Sequence, residues 1–215
     1  MEKNYKKTIQ TYAETLFATA VCALGVCLFV HAGLGCDTID VLLEGAHRSF
    51  HITLGQADQI YAVLFFLLAL LLNRRFVGIP SIVYTLSVGL LIDLFGLWLL
   101  PLKLSTHPYV LRLLYVVIGE FCFALSYAIF QTIEKGMNTV DAVVYYFVER
   151  TGLSYTWVRT IFDSLFFVIG IFLGGTFGIG TIFYVLSNGR MIPWCRRLVE
   201  RVKGGQTRDV NGVCA

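Results

Sequence analysis

Charged side chains and prolines are scarce in this chain of 215 residues. Asp, Glu, Lys and Arg together make up 14% of it and there are 4 prolines, whereas 57% of the residues are hydrophobic. A water-soluble domain has about 25% charged and about 45–50% apolar residues. The mean hydropathy of +0.72 therefore excludes an ordinary soluble domain and indicates a protein whose apolar surface faces lipid.

Motifs of enzymatic chemistry are also missing. The six cysteines contain no Cys-x-x-Cys pair, and the four histidines do not form a His-Glu-x-x-His motif. There is no phosphate-binding loop, no dinucleotide fingerprint and no nucleophile beside a base. The sequence thus predicts no metal site, no cofactor and no enzymatic activity. The basic C-terminal tail predicts an anchor at anionic lipid rather than a nucleic-acid partner.

Long apolar stretches predict six membrane-spanning helices, because about 18 or more apolar residues are typical of a span. The candidates are Tyr12–Ala32, Gly55–Leu72, Gly78–Leu102, Tyr109–Ile133, Tyr155–Gly175 and Gly178–Trp194. The first is too long for a signal-peptide core, and we expect it to be retained. Residues 38–50 and 139–151 also have helical periodicity, but 13 residues give only about 20 Å of helix. We expect these two helices to be re-entrant, buried or interfacial.

Lysine and arginine positions predict the orientation. With six spans and a cytoplasmic N-terminus, 14 of the 17 Lys and Arg residues fall on the cytoplasmic side, and only Arg48, Lys103 and Arg112 fall outside. Cytoplasmic loops of membrane proteins are enriched in these residues. We therefore expect a multi-pass protein of the cell membrane with both termini, including the tail 201–215, in the cytoplasm.

The chain contains two related halves. "GIPSIVYTLSVG" (78–89) and "GIGTIFYVLSNG" (178–189) are identical at seven of twelve positions. "GCDTID" (35–40) matches "GMNTVD" (136–141) at an offset of 101, and "LFF" recurs at the same offset. Each half, 1–105 and 106–200, holds three spans and one short helix. Because three is odd, the second half must cross the membrane upside down. The sequence thus predicts an all-α fold of two inverted repeats, a layout of many secondary transporters.

The first repeated motif places Gly78, Gly178, Gly180 and Thr181 at the start of apolar helices. It is typical of a tight, well-capped turn, and it is also compatible with a helix N-terminus whose N–H groups face a ligand.

The second motif places Asp40 and Asp141 at the third position of the short helices, behind the candidate N-caps Asp37 and Asn138. Two interpretations are open, namely capping boxes or a carboxylate pair at a substrate or ion site near the repeat interface.

Charges inside the spans complete the set of candidate site residues. Arg159 and Asp163 are spaced i, i+4 and share a helix face, so they form either a structural salt bridge or part of a polar pathway. Glu120 lies near the middle of its helix, where a charge is costly. We expect Asp40, Asp141 and Arg159 to lie in one central polar region, with Asp163 and Glu120 along the same pathway.

Three stretches together resemble the YczE/YitT group of bacterial integral membrane proteins. They are "GLGCDTIDVL" (33–42), Arg159 with Asp163, and "GGTFGIGT" (174–181). The resemblance implies a bacterial inner-membrane protein with an Asp at position 40 and an Arg followed four residues later by an acid. This chain departs from the pattern at Thr38-Ile39, where the group often has Pro-Trp, and at Gly189-Arg190, where it often has Gly-Pro.

Two classes of function follow. The inverted repeat and the intramembrane carboxylates predict a transporter of a small molecule or ion, with the lipid bilayer and a small-molecule ligand as its partners. The alternative is a non-transporting membrane accessory or anchoring factor for a partner protein. A water-reachable cavity lined by Asp40, Asp141, Glu120 and Arg159 favours the first class, and a dry, fully packed core favours the second.

Overall fold

The fold is entirely helical in the part of the chain that the computed structural model describes, which is residues 2–72, 74–133 and 139–202. Short 3-10 turns occur at Arg74–Phe76, Leu100–Leu102 and Leu104–Thr106. The helices are α1 (Glu2–Ala32), α2 (Thr38–Phe50), α3 (Leu54–Leu72), α4 (Ile79–Leu99), α5 (Tyr109–Thr132), α6 (Thr139–Thr151), α7 (Tyr155–Phe172) and α8 (Ile179–Val202). No strand is present among the described residues, which confirms the predicted all-α class.

The two short helices begin and end where the sequence predicts them. Asp37 is the N-cap of α2, because its carboxylate accepts a hydrogen bond from the backbone N–H of Asp40 at 2.6 Å. His51, with a φ of 54°, ends this helix. The predicted N-cap of α6, Asn138, lies outside the described residues. At 13 residues each, α2 and α6 are about 20 Å long and too short to cross a bilayer.

Within the described residues, five helices, rather than the predicted six, are long and apolar enough to cross a membrane. They comprise Thr8–Ala32, Leu54–Leu72, Ile79–Thr106, Tyr109–Thr132 and Tyr155–Phe172. The sixth predicted span, 178–194, is the first part of α8. This helix has 24 residues and is long enough, but its second half carries charge at Arg190, Arg196, Arg197, Glu200 and Arg201. Composition, and not length, separates α8 from the other five.

Helix α1 lies at the centre of the bundle and packs against α4 and α5. Helix α5 in turn packs against α8, α2 packs against α7 and α3, and α6 packs against α3 and α7. Small residues permit the closest approach, since a Cβ at Gly25 of α1 would lie 2.9 Å from the carbonyl oxygen of Gly119 in α5. Farther along the same interface, Ser126 Oγ donates to the carbonyl oxygen of Ala18 at 2.8 Å.

Apolar and acidic residues are distributed opposite to their arrangement in a soluble protein. Large apolar side chains such as Leu90, Leu97 and Phe172 are exposed on the outside of the bundle. Acidic side chains are buried within it, at Asp37, Asp40, Glu44, Asp58, Glu120 and Asp141. An apolar exterior of this extent is stable only in lipid. The chain is a multi-pass membrane protein.

Candidate functional site

Arg159 is the centre of a network of ion pairs between α6 and α7. Its Nη1 donates to Asp141 Oδ1 and its Nε donates to Asp163 Oδ2, both at 3.0 Å. Asp163 lies one helical turn after Arg159, so the i, i+4 spacing seen in the sequence brings the two side chains together. The guanidinium can bind both carboxylates because its donors form a rigid fork. We call Arg159, Asp141 and Asp163 the arginine cluster.

Two tyrosines complete the surroundings of Asp141. Tyr155 of α7 donates its hydroxyl to Asp141 Oδ1 at 2.8 Å, and Tyr127 of α5 donates to Asp141 Oδ2. Together with Arg159, they give the carboxylate three donors from two different helices. Asp141 is therefore fully engaged, and α6 is fastened to both α5 and α7 through this one side chain.

The N-terminus of α2 approaches the arginine cluster from the other half of the chain. The side chain of Thr38 lies next to Asp163, and the hydroxyl of Tyr184 in α8 lies next to Asp37. Burial raises the pKa of Asp37 to about 6, although the hydrogen bond from the Asp40 N–H lowers it, and the charge of Asp163 adds to the rise. Elements from both halves thus meet around Arg159.

Asp40 is buried, and one oxygen of its carboxylate has no partner. Its Oδ2 has no hydrogen-bond partner, and the described residues contain no ion pair between Asp40 and Arg159. Burial raises the pKa of the Asp40 carboxyl well above its usual range, and the charges of Asp37, Asp58 and Glu44 raise it further. The structure therefore joins Asp141 directly to Arg159, whereas the charges that act on Asp40 are those of other acids.

Asp58 is a buried acid that the sequence interpretation missed. It lies in α3, is 5% exposed, and has a carboxylate oxygen without a hydrogen-bond partner. Two signals in the sequence mark it. Asp58 is the only charged residue between Gly55 and Leu72, and it stands 101 residues before Arg159, at the repeat offset (58 + 101 = 159).

Glu120 occupies a separate position between α5 and α8. It is completely buried, and its Oε1 accepts a hydrogen bond from Ser187 Oγ at 3.2 Å. Its Oε2 has no hydrogen-bond partner. Glu120 is joined to the arginine cluster by no hydrogen bond or ion pair among the described residues. It belongs to the same polar interior but does not contact Arg159.

Glu44, in the middle of α2, has a structural role. It accepts hydrogen bonds from Arg48, from the N–H of Thr176 at 2.8 Å and from Thr176 Oγ1 at 2.9 Å. These contacts hold the loop between α7 and α8 against α2. Glu44 is thus a buried acid whose charge is compensated, unlike Asp40 and Asp58.

The repeated glycine motifs form helix starts that are held by protein groups. Gly78 precedes α4, and its N–H lies 3.5 Å from Ser81 Oγ. At the start of α8, the N–H of Gly180 donates to the carbonyl oxygen of Leu34 at 2.8 Å. Glycine is required there, because a Cβ at Gly180 or at Gly178 would overlap the Leu34–Gly35 backbone. The N–H of Thr181 bonds to the Gly178 carbonyl, whereas its buried Oγ1 has no partner.

The described residues contain no group of three or more His, Cys, Asp or Glu side chains suited to a metal ion. Residues 203–215, most of the predicted cytoplasmic tail, lie outside the part of the chain that is described.

Comparison with known proteins places the chain among bacterial proteins. It is similar to the uncharacterized protein YyaS of Bacillus subtilis, with 25% identity over 183 residues that cover 84% of this chain and 90% of the relative. It is also similar to an uncharacterized protein of Haemophilus influenzae, with 23% identity over 195 residues that cover 90% of this chain and 86% of the relative. No solved structure matches the chain.

The family assignment differs from the resemblance that the sequence motifs indicate. None of the matches names the YczE/YitT group. A family model described as a family of unknown function (DUF6198) matches residues 9–197, which is most of the chain. The protein belongs to the DUF6198 family.

Proposed function

We propose that this protein transports a small molecule or ion across the bacterial cell membrane, and that α8 is a sixth span that completes two inverted repeats. The observation that carries the proposal is the arginine cluster, a partly buried ion-pair network inside an apolar-coated bundle. Its acid Asp141 lies on a helix too short to span. Intramembrane charges and short helices at corresponding positions of two repeats are typical of transporter binding sites.

The pattern of helix packing supports the inverted repeat. If the four helices of the first half are exchanged in order with those of the second half, observed contacts map onto other observed contacts. The α1–α4 contact becomes α5–α8, and the α2–α7 contact becomes α6–α3. The exchange also converts α2–α3 into α6–α7 and leaves the α1–α5 contact unchanged. A twofold axis between α1 and α5 would produce these equivalences.

Individual contacts follow the same exchange. At the offset of 101, Gly25 corresponds to Ser126 and Ala18 corresponds to Gly119. Gly25 lies against the Gly119 carbonyl, and Ser126 donates to the Ala18 carbonyl. Each contact is thus the repeat-related copy of the other, as expected if α1 and α5 cross at the axis.

The two halves differ at one pair of corresponding interfaces. Gly55 of α3 and Gly89 of α4 lie so close that a Cβ on either would overlap the carbonyl oxygen of the other. The corresponding residues Thr156 and Gly189 (55 + 101 and 89 + 100) are exposed. No described atom lies within 4 Å of a Cβ at Gly189. The α3–α4 interface is thus closed, whereas the corresponding α7–α8 interface is open. Alternating access requires such a difference between the two repeats.

The charge balance favours a neutral or cationic ligand over an organic anion. The donors of Arg159 are already bound to Asp141 and Asp163, and Asp37 adds a third acid nearby. An incoming anion would have to displace one of these carboxylates and would meet the others. A ligand with hydrogen-bond donors or positive charge would meet unpartnered acceptors such as Asp163 Oδ1.

Ligand-dependent thermal stabilisation tests this proposal, because a ligand that binds the folded state raises its apparent stability. Purified protein is heated with a panel of neutral, cationic and anionic metabolites. We expect a neutral or cationic compound to raise the unfolding temperature of the wild type and to have no effect on Arg159→Gln. Arg196→Gln is the matched control, because Arg196 and Glu200 form an i, i+4 pair of similar exposure (25% and 23%, against 19% and 29% for Arg159 and Asp163).

The accessory-factor alternative predicts a different result from the same panel. A protein that only anchors a partner has no reason to bind a metabolite at Arg159. A complete absence of stabilisation, or stabilisation that persists in Arg159→Gln, would contradict the proposed site.

A further inference from the structure

The two halves carry different charges at one pair of corresponding positions. Asp40 corresponds to Asp141 (40 + 101 = 141), and Asp58 corresponds to Arg159. In the second half, Arg159 binds Asp141 at 3.0 Å. In the first half, the residue at the place of the arginine is a second acid. At the position of Arg159, the second half therefore provides a fixed cation and the first half provides an acid.

The acids of the first half are buried without compensation. Asp40 is 3% exposed and Asp58 is 5% exposed, and one carboxylate oxygen of each is enclosed without a hydrogen-bond partner. No ion pair to either acid occurs within the described ranges. Two other buried acids, Glu44 of α2 and Asp141 of α6, do accept hydrogen bonds from protein donors.

Asp40 and Asp58 lie in one compartment of the bundle. Their neighbours Leu43 of α2, Ala57 of α3 and Val88 of α4 pack with Cys22 of α1 in a single buried cluster. Ile39, which precedes Asp40, and Ala57, which precedes Asp58, both pack in this cluster, and the charge of Asp58 raises the pKa of the Asp40 carboxyl. The compartment is enclosed by the four helices of the first half.

Further unpartnered oxygens lie on the helices that border this compartment. Tyr61 and Gln59 of α3 and Thr85 of α4 each have a buried side-chain oxygen without a hydrogen-bond partner. Gln59 donates its Nε2 to the Thr85 carbonyl, which leaves its Oε1 free. The unsatisfied groups are thus all oxygens, the atoms that hard cations prefer as ligands.

We propose that Asp40 and Asp58 form a binding site for a small monovalent cation, H⁺ or Na⁺, which takes the place that the Arg159 guanidinium has in the other half. Two buried carboxylates without a counter-charge cannot both remain ionised at low cost, so the site must gain positive charge. The described residues contain no group of three or more ligating side chains suited to a metal ion, which favours a monovalent over a divalent ion. A proton would bind to one carboxylate oxygen, whereas Na⁺ would be shared between the two carboxylates.

This inference deepens the proposed function by naming the cation that would drive transport, but binding can be measured without transport. The unfolding temperature of purified protein is measured in NaCl and in choline chloride of equal ionic strength, each at several pH values. For a Na⁺ site we expect saturating Na⁺ to raise the unfolding temperature of the wild type by roughly 5 °C. For a proton site we expect no Na⁺ effect and a rise in unfolding temperature as the pH is lowered.

Variants assign the response to the two acids. Asp40→Asn and Asp58→Asn should each abolish the Na⁺ or pH response. Asp58→Arg should abolish it while keeping the protein folded, because it recreates the Asp141–Arg159 pair of the second half. Asp93→Asn is the control and should keep the response, because Asp93 has its own donors in Thr53 Oγ1 at 2.6 Å and the Gly55 N–H at 2.9 Å.

The pH response must be separated from that of neighbouring groups. Several ionisable groups interact with the two acids, namely Cys22, Cys27, Cys36, Asp37, Glu44, Tyr61 and Tyr84. These groups are present in both wild type and Asp58→Asn, so subtracting the pH response of the variant from that of the wild type removes their contribution. Two results would overturn the site. One is a Na⁺ or pH response that is equal in wild type, Asp40→Asn and Asp58→Asn, and the other is the absence of any response.

Failure of this site and failure of the transporter proposal give different results. Transport of a metabolite without any cation response would overturn the cation site and leave the transporter proposal intact. A cation response confined to Asp40 and Asp58, in a protein that moves no metabolite, would support the site and contradict transport.

Discussion

Arg159 donates from Nη1 to Oδ1 of Asp141 at 3.0 Å, and this ion pair fastens the non-spanning helix α6 to the apolar helix α7. The guanidinium also binds Asp163, so one cation compensates two carboxylates in a bundle whose exterior is apolar. Removing a buried partner of this kind leaves uncompensated charge, which costs more than the pair contributes when intact.

Arg159→Gln should lower the free energy of unfolding by about 3 kcal/mol, since it leaves two carboxylates without a cation. Arg196→Gln should lower it by less than about 1 kcal/mol, because the Arg196–Glu200 pair lies within one helix and joins no second element. Thermal unfolding of both purified variants measures the difference. Equal effects would mean that the arginine cluster contributes no more to stability than an i, i+4 pair within one helix.

Asp141→Asn should lower stability and Asp40→Asn should not, although the two positions correspond in the repeat. Asp141→Asn weakens the hydrogen bonds from Tyr155 and Arg159, and it should cost about 2–3 kcal/mol. Asp40→Asn removes an unpartnered buried charge and should leave stability unchanged or raise it when measured in choline chloride. The Asp37 cap remains in both variants. A loss of stability in Asp40→Asn equal to that in Asp141→Asn would contradict this assignment.

The sequence predicted the fold more completely than the site. The bounds of α2 and α6 follow from helical periodicity and flanking turn residues, and both agree with the structure. The sixth span was predicted from the apolar start of α8, whereas the charges beyond Asn188 distinguish it from the other five. Local patterns determine such features, because helix ends depend on residues a few positions apart.

The composition of the site depends on contacts that sequence spacing does not contain. Arg159 and Asp163 were paired correctly, because i, i+4 neighbours on a helix always share a face. The partners Tyr127 and Tyr155 of Asp141 lie on other helices and gave no local signal. Asp58 was detectable, since it is a lone charge in an apolar stretch at the repeat offset from Arg159.

Gly89→Ala and Gly189→Ala should also differ, although they occupy the same position in the two repeats. A methyl group at Gly89 would overlap the Gly55 carbonyl and press on Gln59, which should cost about 1–3 kcal/mol. A methyl group at Gly189 meets no described atom within 4 Å. Because alanine favours the helix over glycine, this variant should gain about 0.5–1 kcal/mol. Unfolding temperatures decide the matter, and equal losses would show that the α7–α8 gap is closed in the membrane.

Opposite orientation of the two halves predicts opposite labelling of corresponding loops. Arg74 follows α3 and Gly175 follows α7, at the repeat offset (74 + 101 = 175). In a cysteine-free background, Arg74→Cys should react with an impermeant thiol reagent only from the cytoplasmic side. Thr176→Cys, next to Gly175, should react only from the outside. Labelling of both positions from the same side would exclude an inverted repeat.

Transport into reconstituted vesicles tests the central claim most directly. The compound that gives the largest rise in unfolding temperature is supplied in radiolabelled form to vesicles that contain wild-type, Arg159→Gln or Arg196→Gln protein. The label should accumulate with the wild type and with Arg196→Gln, and accumulation should be lost with Arg159→Gln. Binding without accumulation in the wild type would contradict transport and identify the protein as a ligand-binding accessory factor of the membrane.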